Sequence, residues 1–317
     1  MKPRLLPDIN FLPTDDGVSV RAPGHEAALH APGLYPWFER VCPFLDGEHS
    51  VVDLVQKLSP PTAQRVLGLV EFLLREGFAR DAEFDLPHTL SPAVRGLHAG
   101  MIEYLARAAD SPERRFQQYR ECAPVAVGSG RLLESAAVAL LASGVEHVRV
   151  RVVPAGPDGE TETDLAAVAE CAAALLHRDQ AARLEFEEGE PEDLPADAGA
   201  LLYLSDRPDH RRAARLRSLA SRKGLRYGYA FADADRVLIS EVEVPRTPGG
   251  TTAGEQGRLT RPAEKPSRLF GGPGAALAAN RLCLHLLRHT AGLVELDAEP
   301  VPGVRELDLA TAGFDIR

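Results

Sequence analysis

The sequence predicts an α/β protein built from a small strand-then-helix unit followed by a parallel-sheet unit. Two observations carry this. Near the N-terminus, three short extended runs broken by Pro and Gly precede three helical periods. From residue 124 onward, short apolar runs alternate with helical segments, the pattern of a parallel sheet with crossover helices. A length of 317 residues is enough for two domains, each with its own core.

Residues 1–85 form the first expected domain. The extended runs are Leu5–Leu12, Val18–Ala22 and Glu26–His30, separated by Pro13 to Gly17 and by Pro23-Gly24. Three helical segments follow. Leu34–Val41 is amphipathic, Ser50–Leu58 opens on Ser50 with Asp53 three residues on, and Thr62–Glu76 lies between Pro60-Pro61 and Gly77. Three strands and three helices in this order resemble a winged helix-turn-helix.

Residues 86–120 are the expected helical connector. One helix runs from about Val94 to Ala109, and a second opens on Ser111-Pro112 and reaches about Glu121. Residues 121–317 form the second expected domain. Pro124–Val127 is a strand, Gly128-Ser129-Gly130 a turn, Leu132–Ser143 a helix and Val148–Val153 the next strand. Leu165–His177, His210–Arg222 and Pro273–Thr290 are helices; Arg183–Phe186, Ala200–Leu204, Arg226–Phe231 and Val237–Val242 are strands. Pro245–Arg268 is rich in Pro, Gly and Thr and reads as a long loop. Leu293–Leu296 is extended, and the tail Pro300–Arg317 can add a strand.

Composition excludes several classes. Net charge is −10, and residues 1–85 hold 8 Lys/Arg against 13 Asp/Glu. That argues against nucleic-acid binding, which depends on neutralising phosphates. No apolar run approaches the ~20 residues of a membrane span, and the N-terminus lacks a secretory pattern, so the expected compartment is the cytoplasm. The four cysteines show no zinc spacing, and Cys171 and Cys283 lie in apolar helical patterns expected to be core. His285 and His289 share a helix face without a third ligand in sight, so no metal is expected. Eight basic residues between Arg207 and Arg226 read first as a solvated helix face.

The glycine turn reads Val125-Ala126-Val127-Gly128-Ser129-Gly130-Arg131-Leu132-Leu133-Glu134-Ser135 and resembles the opening of the ThiF/E1 adenylating family. Gly271-Gly272-Pro273-Gly274-Ala275 through Leu282 is similar to the helix that closes that Rossmann-type fold. Three positions depart from the family. Arg131 and Glu134 stand where glycines let backbone N–H groups approach phosphates, and Val152-Val153-Pro154 ends a strand that in the family ends in an acid. The expectation is a degenerate E1-like domain with no cofactor of its own.

A winged helix-turn-helix joined to such a domain resembles the ocin-ThiF-like proteins of azole-containing peptide and thiopeptide pathways. The resemblance implies an N-terminal RiPP recognition element that binds the leader of a ribosomal precursor peptide. It implies a YcaO cyclodehydratase partner that carries ATP and Mg and forms thiazolines and oxazolines. The chain would present substrate to that partner and activate it as a non-catalytic subunit, with a homodimer inside a heterotetramer as one assembly. The alternative is an E1-like adenylating enzyme acting itself on a peptide or carrier protein.

The expected grip is β-strand addition to the edge Glu26, Ala27, Ala28, Leu29 and His30. Specificity would come from the third helix through Arg65, Leu69, Phe72 and Leu73. The last three lie beyond the core stripe Ala63, Val66, Leu67, Val70 and Leu74, so they either wall a groove or pack against the connector helix.

Overall fold

Pro7 and Asp8 split the first expected strand in two. The computed structural model describes residues 1–153, 163–187, 193–207, 209–245, 270–294, 304–309, 311 and 313–316. Within it Asp8 turns the chain at φ 62°, leaving β1 (Pro3–Leu5) and β2 (Asn10–Thr14) as separate strands. β3 (Gly17–Ala22) and β4 (His25–His30) complete an antiparallel meander in the order β2-β3-β4. The turns are tight: Thr14 pairs with Gly17, and Ala22 pairs with His25 across Pro23 and Gly24, the latter at φ 78°.

Three helices follow, α1 (Tyr35–Val41), α2 (Val51–Val55) and α3 (Pro60–Arg75). The Ser50 hydroxyl accepts from the Asp53 N–H at 3.1 Å, and the Asp53 carboxylate accepts from the Ser50 N–H at 3.1 Å, a reciprocal capping box. A strand absent from the sequence reading, β5 (Ala79–Asp81), pairs antiparallel with β1. Val18, Val20, Phe38, Leu73 and Phe78 are fully buried together and form the centre of this unit's core. Each contributes about 1.5–3 kcal/mol of burial free energy.

The chain divides into two compact units. One comprises residues 1–89 and 99–114, the other 90–98 and 115–317. The expected helix from Val94 is broken: α4 (Pro92–Leu97) and α5 (Ala99–Ala108) are separated at His98, whose backbone leaves the helical region at φ −109°, ψ 24°. α6 spans Pro112–Arg120.

The second unit is organised on an eight-stranded sheet. Its parallel part runs β8 (Arg183–Glu187), β7 (His147–Val152), β6 (Pro124–Ser129), β9 (Ala200–Ser205), β10 (Arg226–Asp233). Numbered from β6, that is the doubly wound order 3-2-1-4-5. β11 (Arg236–Ile239), β12 (Arg305–Asp308) and β13 (Phe314–Ile316) extend it antiparallel. The mixed, mostly parallel sheet is consistent with a Rossmann-like, ThiF/E1-like fold. The helices are α7 (Arg131–Ala142), α8 (Leu165–Arg178), α9 (His210–Lys223) and α10 (Gly272–Thr290). α7 packs on both α8 and α10. α9 supplies Ala213, Leu216 and Leu219 to a core with Val125, Leu201, Tyr203, Tyr229 and Phe231.

The expected long loop Pro245–Arg268 lies, beyond Pro245, outside the described residues, as do Pro154 and residues 295–303. Among the described residues, no helix is long and apolar enough to cross a membrane.

Candidate functional site

Two places among the described residues bear on the ligands expected from the sequence. The first is the edge of the meander. β4 is paired on one side only, with β3, so the other side of its backbone carries unpaired groups among the described residues. Its side chains alternate. Ala27 and Leu29 turn inward against the core of the first unit, while Glu26, Ala28 and His30 are exposed. Glu26 is tied across the sheet by the Ser19 hydroxyl at 2.6 Å and by Arg21 Nε at 2.9 Å, contacts that hold its carboxyl below the ordinary range. His30 Nδ1 lies 2.7 Å from Asp16 Oδ2.

The third-helix residues separate by burial. Arg65 is exposed. Leu69, Phe72 and Leu73 are 2%, 4% and 0% exposed and belong to the same core as Val18 and Phe38. Packing inside the unit is therefore their role, and the correction to the groove reading has a simple cause. α2, β1 and β5 all lie against α3, and its side chains share one core with Val18, Val20 and Phe38, so residues beyond the stripe are also enclosed. Ala27 and Leu29 meet them in that core. The parts of the expected site left outside are Glu26, Ala28, His30, Arg65 and the β4 backbone.

The second place is the topological switch point between β6 and β9, where doubly wound sheets bind ligands at their strand ends. Gly128, Ser129 and Gly130 close β6, and α7 begins at Arg131. Both glycines are explained by this chain's own atoms. A Cβ on Gly128 would fall 1.6 Å from the Leu204 carbonyl oxygen. Gly130, at φ 81°, would place a Cβ 2.4 Å from Asp206 Oδ2. The Gly130 N–H donates to Thr163 Oγ1 at 2.9 Å. The Arg131 and Leu132 N–H groups donate to Asp206 Oδ2 and Oδ1, at 2.8 and 2.9 Å. The donors that such a loop offers to a phosphate are taken by Thr163 and Asp206. In this arrangement the cradle does not fit a nucleotide phosphate. Burial pushes the Asp206 carboxyl up, against the opposing pull of the two N–H groups.

The residues singled out in the sequence around this loop have structural partners. Glu134 accepts from the Asp164 N–H at 2.7 Å, and Arg131 Nη1 reaches the Phe270 carbonyl at 3.4 Å. Asp206 and Thr163 were missed. The signal for Asp206 was present: a polar Ser205-Asp206 pair ends an apolar strand beside the glycine turn. Thr163 carried none, because its approach depends on how the chain returns to α8.

Cys283 is buried as expected, but Cys171 is exposed, since α8 turns Val168 and Ala172 inward instead. His285 is buried with Nδ1 2.9 Å from the Ser240 carbonyl, and Arg226 Nε donates to His289 Nδ1 at 3.2 Å. No group of three metal-ligating side chains occurs among the described residues. On α9, Arg211, Arg222 and Lys223 are exposed, while Arg217 bonds Glu243 at 2.5 Å.

No protein-family model matches the chain, and no curated protein matches it. Its fold does match solved structures along their whole length. The crystal structure of E. coli MccB aligns at a TM-score of 0.57 and 13% identity, covering 100% of this chain and 94% of that one. The crystal structure of PaaA aligns at 0.61 and 15%, covering 98% of each. A third, described as the microcin C7 biosynthetic enzyme MccB in complex with N-formylated MccA, aligns at 0.57 and 12%. At these identities the likeness establishes the fold. It also corrects the expectation of a chain without chemistry of its own: the fold shared end to end is that of an enzyme, and MccB has been solved with ATP at a TM-score of 0.58.

Proposed function

We propose that the chain binds the leader of a ribosomally made precursor peptide along β4 and takes part in modifying that peptide. The observation that carries this is the open β4 edge, in a chain whose whole fold matches a biosynthetic enzyme, MccB, solved in complex with N-formylated MccA. Backbone pairing on β4 supplies affinity with little sequence choice, and the exposed Glu26 and His30 supply polar groups on the same strand. The order of strands and helices in residues 1–85 supports a winged helix-turn-helix serving as a RiPP recognition element. On the resemblance drawn from the sequence, the bound peptide is presented to a YcaO cyclodehydratase, which carries ATP and Mg and is activated by this chain. The compartment is the cytoplasm.

A second reading, an E1-like adenylating enzyme acting on the peptide itself, is favoured by the match to MccB solved with ATP. The two readings share the peptide grip and differ in which protein consumes ATP. Fluorescence polarisation with the full chain and labelled leader peptides tests the grip. Saturable binding is expected, with slowed amide exchange along β4. Absence of both overturns the proposal. ATP–pyrophosphate exchange by the chain alone with peptide present would favour the second reading over the first.

A further inference from the structure

We propose that Asp206 is a built-in occupant of the phosphate cradle at the start of α7, so that a nucleotide phosphate can enter only by displacing it. Three features of the loop place it there. The carboxylate takes two adjacent helix N-terminal N–H groups with one oxygen each, at 2.8 and 2.9 Å, as a phosphate would. The third donor, on Gly130, is engaged by Thr163. And the close approach that Gly130 permits is used by Asp206 itself, which fills the space a Cβ would occupy.

The contact is fixed from both sides. Asp206 is 5% exposed and follows the last residue of β9, and Ser205 anchors the next turn through reciprocal bonds with the Arg207 backbone, at 2.6 and 3.1 Å. The carboxylate therefore stands on the sheet rather than on a mobile side loop. A phosphate arriving at α7 would meet a like charge already seated, with Glu134 adding to it from the first turn.

The test uses the full chain, amide-resolved NMR, and titration with ATP and with inorganic pyrophosphate. In the wild type, the Gly130, Arg131 and Leu132 amide signals are expected to stay in place at ligand concentrations that move them in Asp206→Ala. The alanine variant is expected to bind about tenfold or more tightly, the size of one hydrogen bond to a charged group. Asp206→Asn keeps one acceptor oxygen without the charge and is expected to fall between; it carries the comparison if the alanine variant does not fold. Wild-type loop amides that shift with an affinity equal to the variants' would overturn the proposal. So would a folded variant that binds no more tightly than wild type.

Discussion

Asp179 receives both terminal nitrogens of Arg120, at 2.6 and 2.9 Å, with both side chains buried inside the second unit. His98 Nε2 approaches the same carboxylate at 3.1 Å, and Arg120 also donates to the Gly144 carbonyl at 3.2 Å. One carboxylate thus joins α6, the end of α8 and the residue that follows α4. Removing one partner of a buried pair leaves the other charge uncompensated. Asp179→Ala is expected to cost about 3–5 kcal/mol, read from the urea midpoint of the full chain.

The same cluster sets an acid limit on stability. Burial lowers the pKa of His98, with Arg120 and Arg178 adding to that and Asp179 opposing it. Burial raises Asp179, but the bonds from Arg120 and His98 together outweigh it and hold it below the usual range. Both folded values lie under the unfolded ones, roughly 6.5 and 3.9. Each group therefore stabilises fully above its unfolded value and loses that contribution as pH falls through its folded one. The melting temperature is expected to decline first below about pH 6.5 and again below about pH 4. His98→Gln should remove the first decline and leave the second, as measured by melting against pH.

Gly130→Ala should destabilise the sheet domain. It forces a side chain into φ 81° and drives a Cβ toward the Asp206 carboxylate. A residue held in a sparsely populated backbone region costs about 1–3 kcal/mol, and the steric clash adds to it. A drop in thermal midpoint checks this; an unchanged midpoint would mean that Asp206 moves aside freely.

Ser50→Ala removes one half of the capping box at α2. The expected loss is about 1 kcal/mol, read from the denaturant midpoint of the first unit's transition. Asp53→Ala should lose a comparable amount, because the two bonds are reciprocal.

Much of the sheet domain was legible in the sequence because β-Gly-α-β spacing is local. The turn Gly128-Ser129-Gly130, like the cap at Ser50 in the first unit, depends on residues a few positions away. The pairing that was missed is long-range: nothing near Ala79–Asp81 says that Pro3–Leu5 returns to it. The burial of Leu69, Phe72 and Leu73 was illegible for a related reason. Helical periodicity reports one face, and the number of faces covered depends on which elements, here α2, β1 and β5, come to lie against α3. At the switch point, the sequence showed which glycines are present but not that Asp206 uses them, since that contact spans more than 70 positions.

The first unit returns to the chain after leaving it. Arg4 forms paired hydrogen bonds with Glu113, at 2.8 and 2.6 Å, and the Ser111 N–H donates to Asp85 at 3.0 Å while its hydroxyl accepts from the Leu86 N–H at 2.9 Å. A fragment cut at residue 89 would keep Arg4 and discard Glu113, the carboxylate that takes both of its hydrogen bonds. The unit is therefore not a cassette that can be excised as one stretch and grafted elsewhere. A transplant must carry residues 99–114 with it and bridge the missing 90–98 by a linker. Exchange of this unit between chains of the same fold would have to respect both cuts at once.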